Sequence, residues 1–250
     1  MPVSKCWRAF LLWVKLNFEW ILQDTLMLLH VPEILTKSQV ATIRHTLGSG
    51  SWVDGASTAG PLAAESKRNL QFSTESTDYA ALSQSIISAL EKHPLFFSAA
   101  LPKRILPPMF NRYAGGQTYG NHIDNAVQTD RRDGERVLTD ISVTVFLSEP
   151  EDYEGGELIV EDTYGSHEVK LPAGDAIVYP SSSLHRVEPV TSGERVASFL
   201  WVQSLVRDAW HRNMLFNLDM TLMKLRGQIG NTEEIVALTG HYHNLLRQWG

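Results

Sequence analysis

A block of short, alternating apolar runs extends from about residue 104 to residue 204 and constrains the fold more than any other feature. Its clearest run is Ile141-Ser142-Val143-Thr144-Val145-Phe146-Leu147. Gly155-Gly156 and Ala173-Gly174-Asp175 are turn signals before two further runs, and a last run covers 196–203. Short period-two segments separated by turns at roughly 8–15-residue spacing are typical of a β-sandwich or barrel. The sequence therefore predicts a mainly β core.

Helical patterns flank this block on both sides. Thr36 to Gln39 match a capping box, and apolar residues follow at helical spacing. A second helix is predicted over 78–92, with Pro94 as its stop signal. After residue 205 helical spacing returns until Gly227 and Gly230, and a final helix begins near residue 232. We therefore expect helices from both ends to support the sheet.

These patterns divide the chain into four regions. We predict an N-terminal extension at 1–26, a strand-helix support region at 27–103, a catalytic β domain at 104–204 and a C-terminal helical region at 205–250. The apolar run at 9–14 is too short to span a bilayer, which needs about 20 residues, and no signal-peptide cleavage pattern follows it. We interpret 1–26 as an amphipathic helical appendage or as an upstream extension of the reading frame ahead of Met27.

Composition narrows the functional classes. The chain of 250 residues is 43% hydrophobic, which is enough for a substantial core. Its net charge of −6 argues against a sequence-independent nucleic-acid binder, because such a protein needs a basic surface. Cys6 is the single cysteine, so an intrachain disulfide is excluded and metal ligands must come from His, Asp or Glu. We expect a cytoplasmic protein, because nothing in the sequence requires an oxidising compartment.

Three candidate ligands and a cation follow one another along the block. His122 and Asp124 stand two residues apart, His185 follows 63 residues after His122, and Arg195 lies ten residues further on. Residues two apart on a strand point to the same side, so His122 and Asp124 can face one metal ion. Two imidazoles and one carboxylate form the set that holds one face of Fe(II). Arg195 adds a planar, permanently charged fork suited to a carboxylate-bearing co-substrate.

These residues stand within an ordered series of short motifs. The series is Arg112-Tyr113 with Gly115-Gly116, His122-x-Asp124, Gly155-Gly156-Glu157-Leu158, Pro172-x-Gly174-Asp175, His185-x-Val187 and Gly193-x-Arg195. In this order they resemble the catalytic domain of the Fe(II)/2-oxoglutarate-dependent dioxygenases. More narrowly, the chain is similar to the prolyl-4-hydroxylase-like branch and to its PKHD-type hydroxylases, over nearly everything after residue 27. Each motif alone is weak, and the specificity lies in their combination.

The resemblance implies a double-stranded β-helix, or jelly roll, with an iron centre. It implies that His122, Asp124 and His185 bind Fe(II) and that Arg195 holds the distal carboxylate of 2-oxoglutarate. Tyr113 is either a second partner of that carboxylate or a core aromatic residue. The expected reaction consumes O2, converts 2-oxoglutarate to succinate and carbon dioxide, and hydroxylates an unidentified small-molecule or peptidyl substrate. L-ascorbate is the reductant that this family commonly uses.

Two further comparisons sharpen the expected chemistry. Related halogenases lack the carboxylate ligand, so the presence of Asp124 favours hydroxylation. The nucleic-acid demethylase branch carries a second functional Arg shortly after the first, and residues 196–201 contain none. The alternative class is a cupin-like metal-binding sensor without turnover, which has no need of a carboxylate clamp such as Arg195.

Other polar residues are interpreted as outside the site. His167 is expected in a solvated loop, and His241 and His243 diverge by about 200° on a helix, so they cannot share a metal ion there. Residues 129–136 form a charged segment that is either a solvated connection or a lid over the substrate. Trp201 either lines the pocket or packs in the core, and we expect core packing.

Overall fold

The computed structural model describes residues 28–58, 66–163 and 165–250. The predictions for residues 1–26 lie outside the described residues. The strands run, in chain order, as β1 (Leu29–Val31), β2 (Trp52–Asp54), β3 (Lys67–Arg68), β4 (Leu70–Phe72), β5 (Pro102–Ile105), β6 (Met109–Ala114), β7 (Thr118–His122), β8 (Val127–Thr129), β9 (Arg136–Leu138), β10 (Ile141–Phe146), β11 (Tyr153–Gly155), β12 (Leu158–Asp162), β13 (Gly165–Val169), β14 (Ala176–Pro180), β15 (His185–Val187) and β16 (Val190–Ser204).

The helices of the described residues are α1 (Lys37–Ser49), α2 (Tyr79–Lys92), α3 (Pro94–Ala100), α4 (Ala209–Ile229) and α5 (Glu233–Trp249). The capping box at Thr36 is confirmed, because its side chain accepts from the Gln39 N–H while the Gln39 side chain accepts from the Thr36 N–H. A threonine cap also begins the last helix, where the Thr232 side chain accepts from the Ile235 N–H. Across these ranges, no helix combines the length and the apolar character that a bilayer crossing requires.

The strands form two facing sheets that confirm the predicted jelly roll. The larger sheet has the order β1-β14-β10-β16-β6-β4-β2, with β5 and β11 also pairing with β16. The smaller sheet has the order β13-β12-β15-β7-β3, and β8 pairs with β9 in a separate hairpin. Every pair within these sheets is antiparallel. Strands from before residue 104 therefore take part in both sheets.

Both faces of the larger sheet are covered, which the alternating pattern alone did not show. Val143 and Val145 of β10 pack against the helices, whereas Ser142 and Thr144 line a cavity between the two sheets. All six residues of β10 are buried. The polar residues of this strand therefore face an internal cavity and not solvent. This agrees with the position of β10 in a sheet that is covered on both faces.

Three apolar clusters hold the described residues together. The first joins α1, α2 and α3 to the outer face of the larger sheet through residues such as Ile43, Ile86 and Phe110. The second fills the space between the sheets with Phe146, Leu158 and other residues. A third, smaller cluster packs α4 and α5 against the end of the β region.

The predicted helix over 78–92 is confirmed as α2, which ends at Lys92 before Pro94. Pro94 also occupies the first turn of α3, where its fixed φ and missing N–H are tolerated. One detail of the helical predictions is wrong. Gly227 does not break α4, which continues to Ile229 and ends before Gly230. Gly230 has a φ of 77°, a conformation that glycine adopts without a Cβ clash.

Replacing Phe110 by Ala tests the packing between the sheet and the helices. Phe110 is fully buried and meets the Phe72 ring edge-on at a centroid distance of 6.3 Å. We expect Phe110→Ala to lower the free energy of unfolding by about 3–5 kcal/mol, because it leaves a cavity in this layer. Urea denaturation followed by circular dichroism measures the change.

The matched control is Phe97→Ala on α3, because Phe97 is 50% exposed. We expect this substitution to cost less than about 1 kcal/mol. Equal losses for the two variants would contradict the assignment of Phe110 to the core.

Candidate metal centre and co-substrate pocket

The pairing of β7 with β15 brings the two predicted histidines together. His122 lies directly opposite His185 in this antiparallel pair, and their ring centroids are 4.1 Å apart. Asp124 lies beyond the end of β7, so the same-strand argument for the His122–Asp124 pair is wrong in detail. The Asp124 carboxylate nevertheless lies close to both imidazoles. One ligand atom from each of the three residues lies within 4.8 Å of the other two.

A register shift lies next to the site. It lets Tyr119 and His122 of β7, which are three positions apart, face the same side of the strand. His185 pairs with His122, while Val187 pairs with Tyr119, so β7 contains one extra residue over this stretch. Such a bulge re-aims side chains next to functional sites. The Tyr119 ring consequently stacks on the His122 ring at a centroid distance of 3.6 Å. This stacking restricts the rotation of the His122 imidazole.

Hydrogen bonds select the free nitrogen of each imidazole. His122 Nδ1 lies 2.8 Å from the Gly120 carbonyl oxygen, and His185 Nδ1 lies 3.0 Å from the Ser183 carbonyl oxygen. A carbonyl only accepts, so Nδ1 carries the proton in both rings and Nε2 is left to face the metal. Burial, reinforced by the neighbouring His185, lowers the pKa of His122 to about 4. His122 is therefore neutral at pH 7, as a metal ligand must be.

The Asp124 carboxylate accepts a hydrogen bond from one hydroxyl group, which in turn contacts a second hydroxyl group. Ser142 Oγ on β10 donates to Asp124 Oδ2 at 2.5 Å. Ser142 Oγ also lies 2.8 Å from Ser181 Oγ, just after β14. The same Asp124 Oδ2 atom lies 3.8 Å from His185 Nε2. Hydrogen-bonded neighbours of this kind commonly orient metal-binding side chains.

The donor set fits Fe(II) in its chemistry. Two imidazole nitrogens and one hard carboxylate oxygen are the combination that suits ferrous iron with open positions. The set offers no thiolate, which would favour softer metals. Within the described ranges, this cluster is the one group of three or more such side chains close enough to share an ion.

Arg195 extends across the base of the same cavity. It lies on β16 with 1% of its surface exposed, and neither Nε nor Nη1 has a hydrogen-bond partner among the described residues. Its guanidinium carbon lies 5.5 Å from the Tyr113 ring centroid and 5.4 Å from that of Phe146. A buried guanidinium with two nitrogens that lack a hydrogen-bond partner is costly unless a ligand supplies a counter-charge. The fork is therefore suited to a carboxylate that enters the cavity.

The Gly155-Gly156 motif makes room for this arginine. A Cβ atom at Gly156 would lie 3.1 Å from Arg195 Cδ and 2.7 Å from a methyl carbon of Val190. Gly156 also has a φ of 69°, which favours glycine. The turn signal in the sequence thus has a second role, because it admits the Arg195 side chain to the space between the sheets.

Tyr113 is fully buried, lines the cavity and lies beside Arg195. Its hydroxyl accepts a long hydrogen bond of 3.4 Å from Asn111 Nδ2. Burial raises the pKa of Tyr113 to about 12, so its hydroxyl stays protonated and able to donate.

Trp201 also lines the cavity, in contrast to the expected core packing.

The remaining candidates lie away from this centre. His167 is on β13 with its Nε2 atom 2.7 Å from Asp162 Oδ2, and His241 and His243 are on α5. Residues 129–136 form the tip of the β8–β9 hairpin. Asp130 at this tip is fully buried and accepts from Arg104 and Arg132, which anchors the segment to β5.

Several cavity residues escaped the sequence-based reasoning. Lys67, Asn111, Tyr119 and Ser142 all line the cavity. The alternating pattern showed polar residues in β10. Their place in the cavity wall followed only from the structure, in which the polar face of β10 is buried. Lys67 stood in a segment without a clear strand pattern, so nothing in the sequence linked it to the distant histidines.

Comparison with known proteins identifies the class. Residues 108–203 match the 2OG-Fe(II) oxygenase superfamily, and residues 209–250 match the PKHD-type hydroxylase C-terminal domain. A viral collagen prolyl hydroxylase from Paramecium bursaria Chlorella virus-1, solved with 2OG, aligns with a TM-score of 0.51 at 16% identity, over 73% of this chain and 99% of its own. At that identity, the alignment supports the shared fold alone. The protein is a 2-oxoglutarate-dependent dioxygenase.

Closer relatives define the family within that class. A PKHD-type hydroxylase from Hyphomonas neptunium is 60% identical over 223 residues, which are 89% of this chain and 99% of the relative. Another, from Janthinobacterium sp., is 56% identical over the same shares. The chain belongs to the PKHD-type hydroxylases. The predicted family is thereby confirmed, and the sensor alternative loses its support.

Replacing Arg195 by Met tests whether the guanidinium lacks a counter-charge in the free protein. We expect Arg195→Met to raise the free energy of unfolding of the ligand-free protein by about 1 kcal/mol or more, because an unpaired buried charge is removed. Thermal and urea denaturation in the absence of iron and 2-oxoglutarate measure the change.

Arg212→Met is the matched control. Arg212 is equally buried, but its Nη1 atom donates to the Val206 carbonyl at 2.9 Å. We expect this substitution to destabilise the fold, because it removes a satisfied hydrogen bond. A loss of stability in both variants would show that Arg195 has protein partners.

Proposed function

We propose that His122, Asp124 and His185 bind the Fe(II) of this dioxygenase, and that Arg195 binds the distal carboxylate of 2-oxoglutarate. The observation that carries this proposal is the convergence of the three ligand atoms within 4.8 Å of one another. The fixed Nδ1 hydrogen bonds support it, because they direct both Nε2 atoms toward a shared ligand position. When bound, ferrous iron and 2-oxoglutarate supply the O2 activation that hydroxylates the substrate and yields succinate and carbon dioxide.

The protein's own groups prepare the centre in three ways. The neutral imidazole of His122 need lose no proton before it binds a cation at neutral pH. Asp124 contributes one negative charge, and Ser142 fixes its orientation. The Tyr119 ring covers one face of His122 and keeps water from it. These contacts hold the ligand geometry before the metal arrives.

Arg195 sets the position of the co-substrate. A guanidinium can donate two parallel hydrogen bonds to a carboxylate, which fixes both the distance and the orientation of the bound acid. Because Arg195 is buried, this ion pair forms away from water and is weakly screened. We propose that the Tyr113 hydroxyl donates to the same carboxylate.

The reductant and the location also belong to this proposal. We infer that L-ascorbate restores the ferrous state, as the family resemblance implies, and that the protein acts in the cytoplasm. The support for the cytoplasm is chemical, since a reducing compartment keeps Fe(II) available.

Replacing Asp124 by Ala tests the proposed metal site. We expect the variant to lose iron-dependent binding of 2-oxoglutarate and to lower succinate release by about 100-fold or more, because the anionic ligand is removed. Anaerobic calorimetry measures the binding, and succinate release is assayed with Fe(II), 2-oxoglutarate and O2.

His167→Ala is the control for this experiment, because His167 bonds to Asp162 outside the cluster. We expect it to retain the wild-type rate of succinate release. Wild-type iron binding by Asp124→Ala would overturn the assignment.

Replacing Ser142 by Ala tests the hydroxyl that orients Asp124. We expect the dissociation constant for Fe(II) to rise by about tenfold to 100-fold, because the carboxylate loses its hydrogen-bond donor. Competition with a metal chelator under anaerobic conditions measures this constant.

Ser148→Ala is the matched control, because Ser148 is buried but hydrogen-bonds only to the backbone of Glu194 and Val196. We expect it to change stability and leave the Fe(II) dissociation constant as in the wild type. Equal metal affinities in both variants would exclude an orienting role for Ser142.

A further inference from the structure

Tyr153 is a buried tyrosine of β11 that lies beside Arg195 without lining the cavity. It pairs with Gly193 of β16, and its side chain belongs to the apolar cluster between the sheets. A Cβ atom at Gly156 would lie 3.0 Å from Tyr153 Cε2 and 3.1 Å from Arg195 Cδ, so the two side chains meet over this glycine. As seen from the cavity, Tyr153 therefore lies behind Arg195.

Both side chains carry polar atoms without partners. The Tyr153 hydroxyl is buried and makes no hydrogen bond within residues 28–58, 66–163 and 165–250, and the same holds for Arg195 Nε and Nη1. Burial raises the pKa of the Tyr153 hydroxyl, and the positive charge of Arg195 opposes that rise. The hydroxyl is therefore protonated at neutral pH, lies near the guanidinium, and has lone pairs that can accept a hydrogen bond.

Lys170 restrains the Tyr153 side chain. Its Nζ atom lies 4.1 Å from the centroid of the Tyr153 ring and donates to the carbonyl oxygens of Tyr153 and Gly155 at 2.9 and 3.1 Å. A cation over an aromatic face is attractive, and the two backbone hydrogen bonds hold the strand that carries the ring. The Tyr153 hydroxyl is thereby kept beside Arg195.

The hydrogen-bonding capacity of Arg195 exceeds what one carboxylate uses. A guanidinium has five N–H donors, and a bidentate carboxylate accepts from two of them. Because Arg195 is buried, its remaining donors need acceptors inside the protein. The Tyr153 hydroxyl is a neutral acceptor, so it can bind an N–H group and leave the positive charge of Arg195 available to the co-substrate.

We propose that Tyr153 is a positioning residue for Arg195 and that it sets the chain length of the 2-oxo acid that this enzyme accepts as co-substrate. Its hydroxyl accepts a hydrogen bond from the guanidinium when the distal carboxylate binds, and its ring blocks movement of the guanidinium away from the metal centre. The space between Arg195 and the metal ligands then fits a five-carbon diacid and excludes a longer one. This inference rests on the proposed roles of Arg195 and the metal ligands, and it adds the residue that determines co-substrate length.

The test compares two co-substrates that differ by one methylene group. 2-Oxoglutarate has five carbons and 2-oxoadipate has six, and both end in a carboxylate. Each is titrated by anaerobic calorimetry into the protein loaded with Fe(II). We expect the wild type to bind 2-oxoglutarate about tenfold or more tightly than 2-oxoadipate, because an enclosed site discriminates by about this factor for one methylene group.

Two substitutions separate the hydroxyl of Tyr153 from its ring. We expect Tyr153→Phe to weaken 2-oxoglutarate binding by about threefold to tenfold, because the guanidinium loses an acceptor. We expect Tyr153→Leu to lower the preference for 2-oxoglutarate over 2-oxoadipate by about tenfold, because the guanidinium gains room to move away from the metal centre. Both variants should keep the Fe(II) dissociation constant of the wild type.

Tyr242→Leu is the matched control. Tyr242 is also buried, but it lies on α5 in the cluster that packs the C-terminal helices. We expect this substitution to lower stability and to keep the wild-type preference between the two acids. Far-UV circular dichroism checks that each variant is folded. Tyr153→Phe removes a single oxygen atom, so it keeps the test decisive if Tyr153→Leu does not fold.

Five outcomes would overturn the proposal. They are equal binding of the two acids by the wild type, wild-type affinity for 2-oxoglutarate in Tyr153→Phe, an unchanged preference in folded Tyr153→Leu, the same change of preference in Tyr242→Leu, and weaker Fe(II) binding by either Tyr153 variant. Failure of the proposed role of Arg195 is distinguishable, because Arg195→Met would then bind 2-oxoglutarate as tightly as the wild type, whatever the Tyr153 variants show.

Discussion

The antiparallel pairing of β7 with β15 is the constraint on which the candidate site depends. It places His122 opposite His185, and the bulge in β7 turns the Tyr119 ring onto His122. A bulge changes which side chains face inward, because two residues of one strand then oppose one residue of its partner. The positions of the candidate ligands are therefore determined by the pairing of two strands whose histidines stand 63 residues apart in the sequence. The His122-x-Asp124 motif alone does not determine them.

The second constraint is that the larger sheet is covered on both faces. Its outer face packs against α1, α2 and α3, and its inner face lines the cavity with polar side chains. Ser142 and Thr144 would be solvent-facing positions in an ordinary antiparallel strand. In this protein Ser142 donates a hydrogen bond to Asp124, so the polar positions of β10 form one wall of the candidate site.

Charge in the cavity follows from burial. Arg195 and Lys67 lie on opposite sheets, and both are almost entirely removed from solvent. Arg195 Nε and Nη1 make no hydrogen bond within the described residues, so the free energy cost of burying this guanidinium is not fully offset there. An anionic ligand at the proposed co-substrate position would offset it.

The sequence by itself determined the β core, the flanking helices with their Thr36 and Thr232 caps, and the identity of three candidate ligands. The core and the helices follow from local signals, namely period, turn residues and cap chemistry, which a short segment carries alone. The candidate ligands follow instead from the order of the motifs along the whole β block and from the family resemblance that this order carries. Only the tertiary structure decided that Asp124 acts from beyond the end of β7, that Pro94 begins a helix, and that Lys67 enters the cavity. Each of these depends on contacts between segments far apart in the chain, where packing overrides local preference.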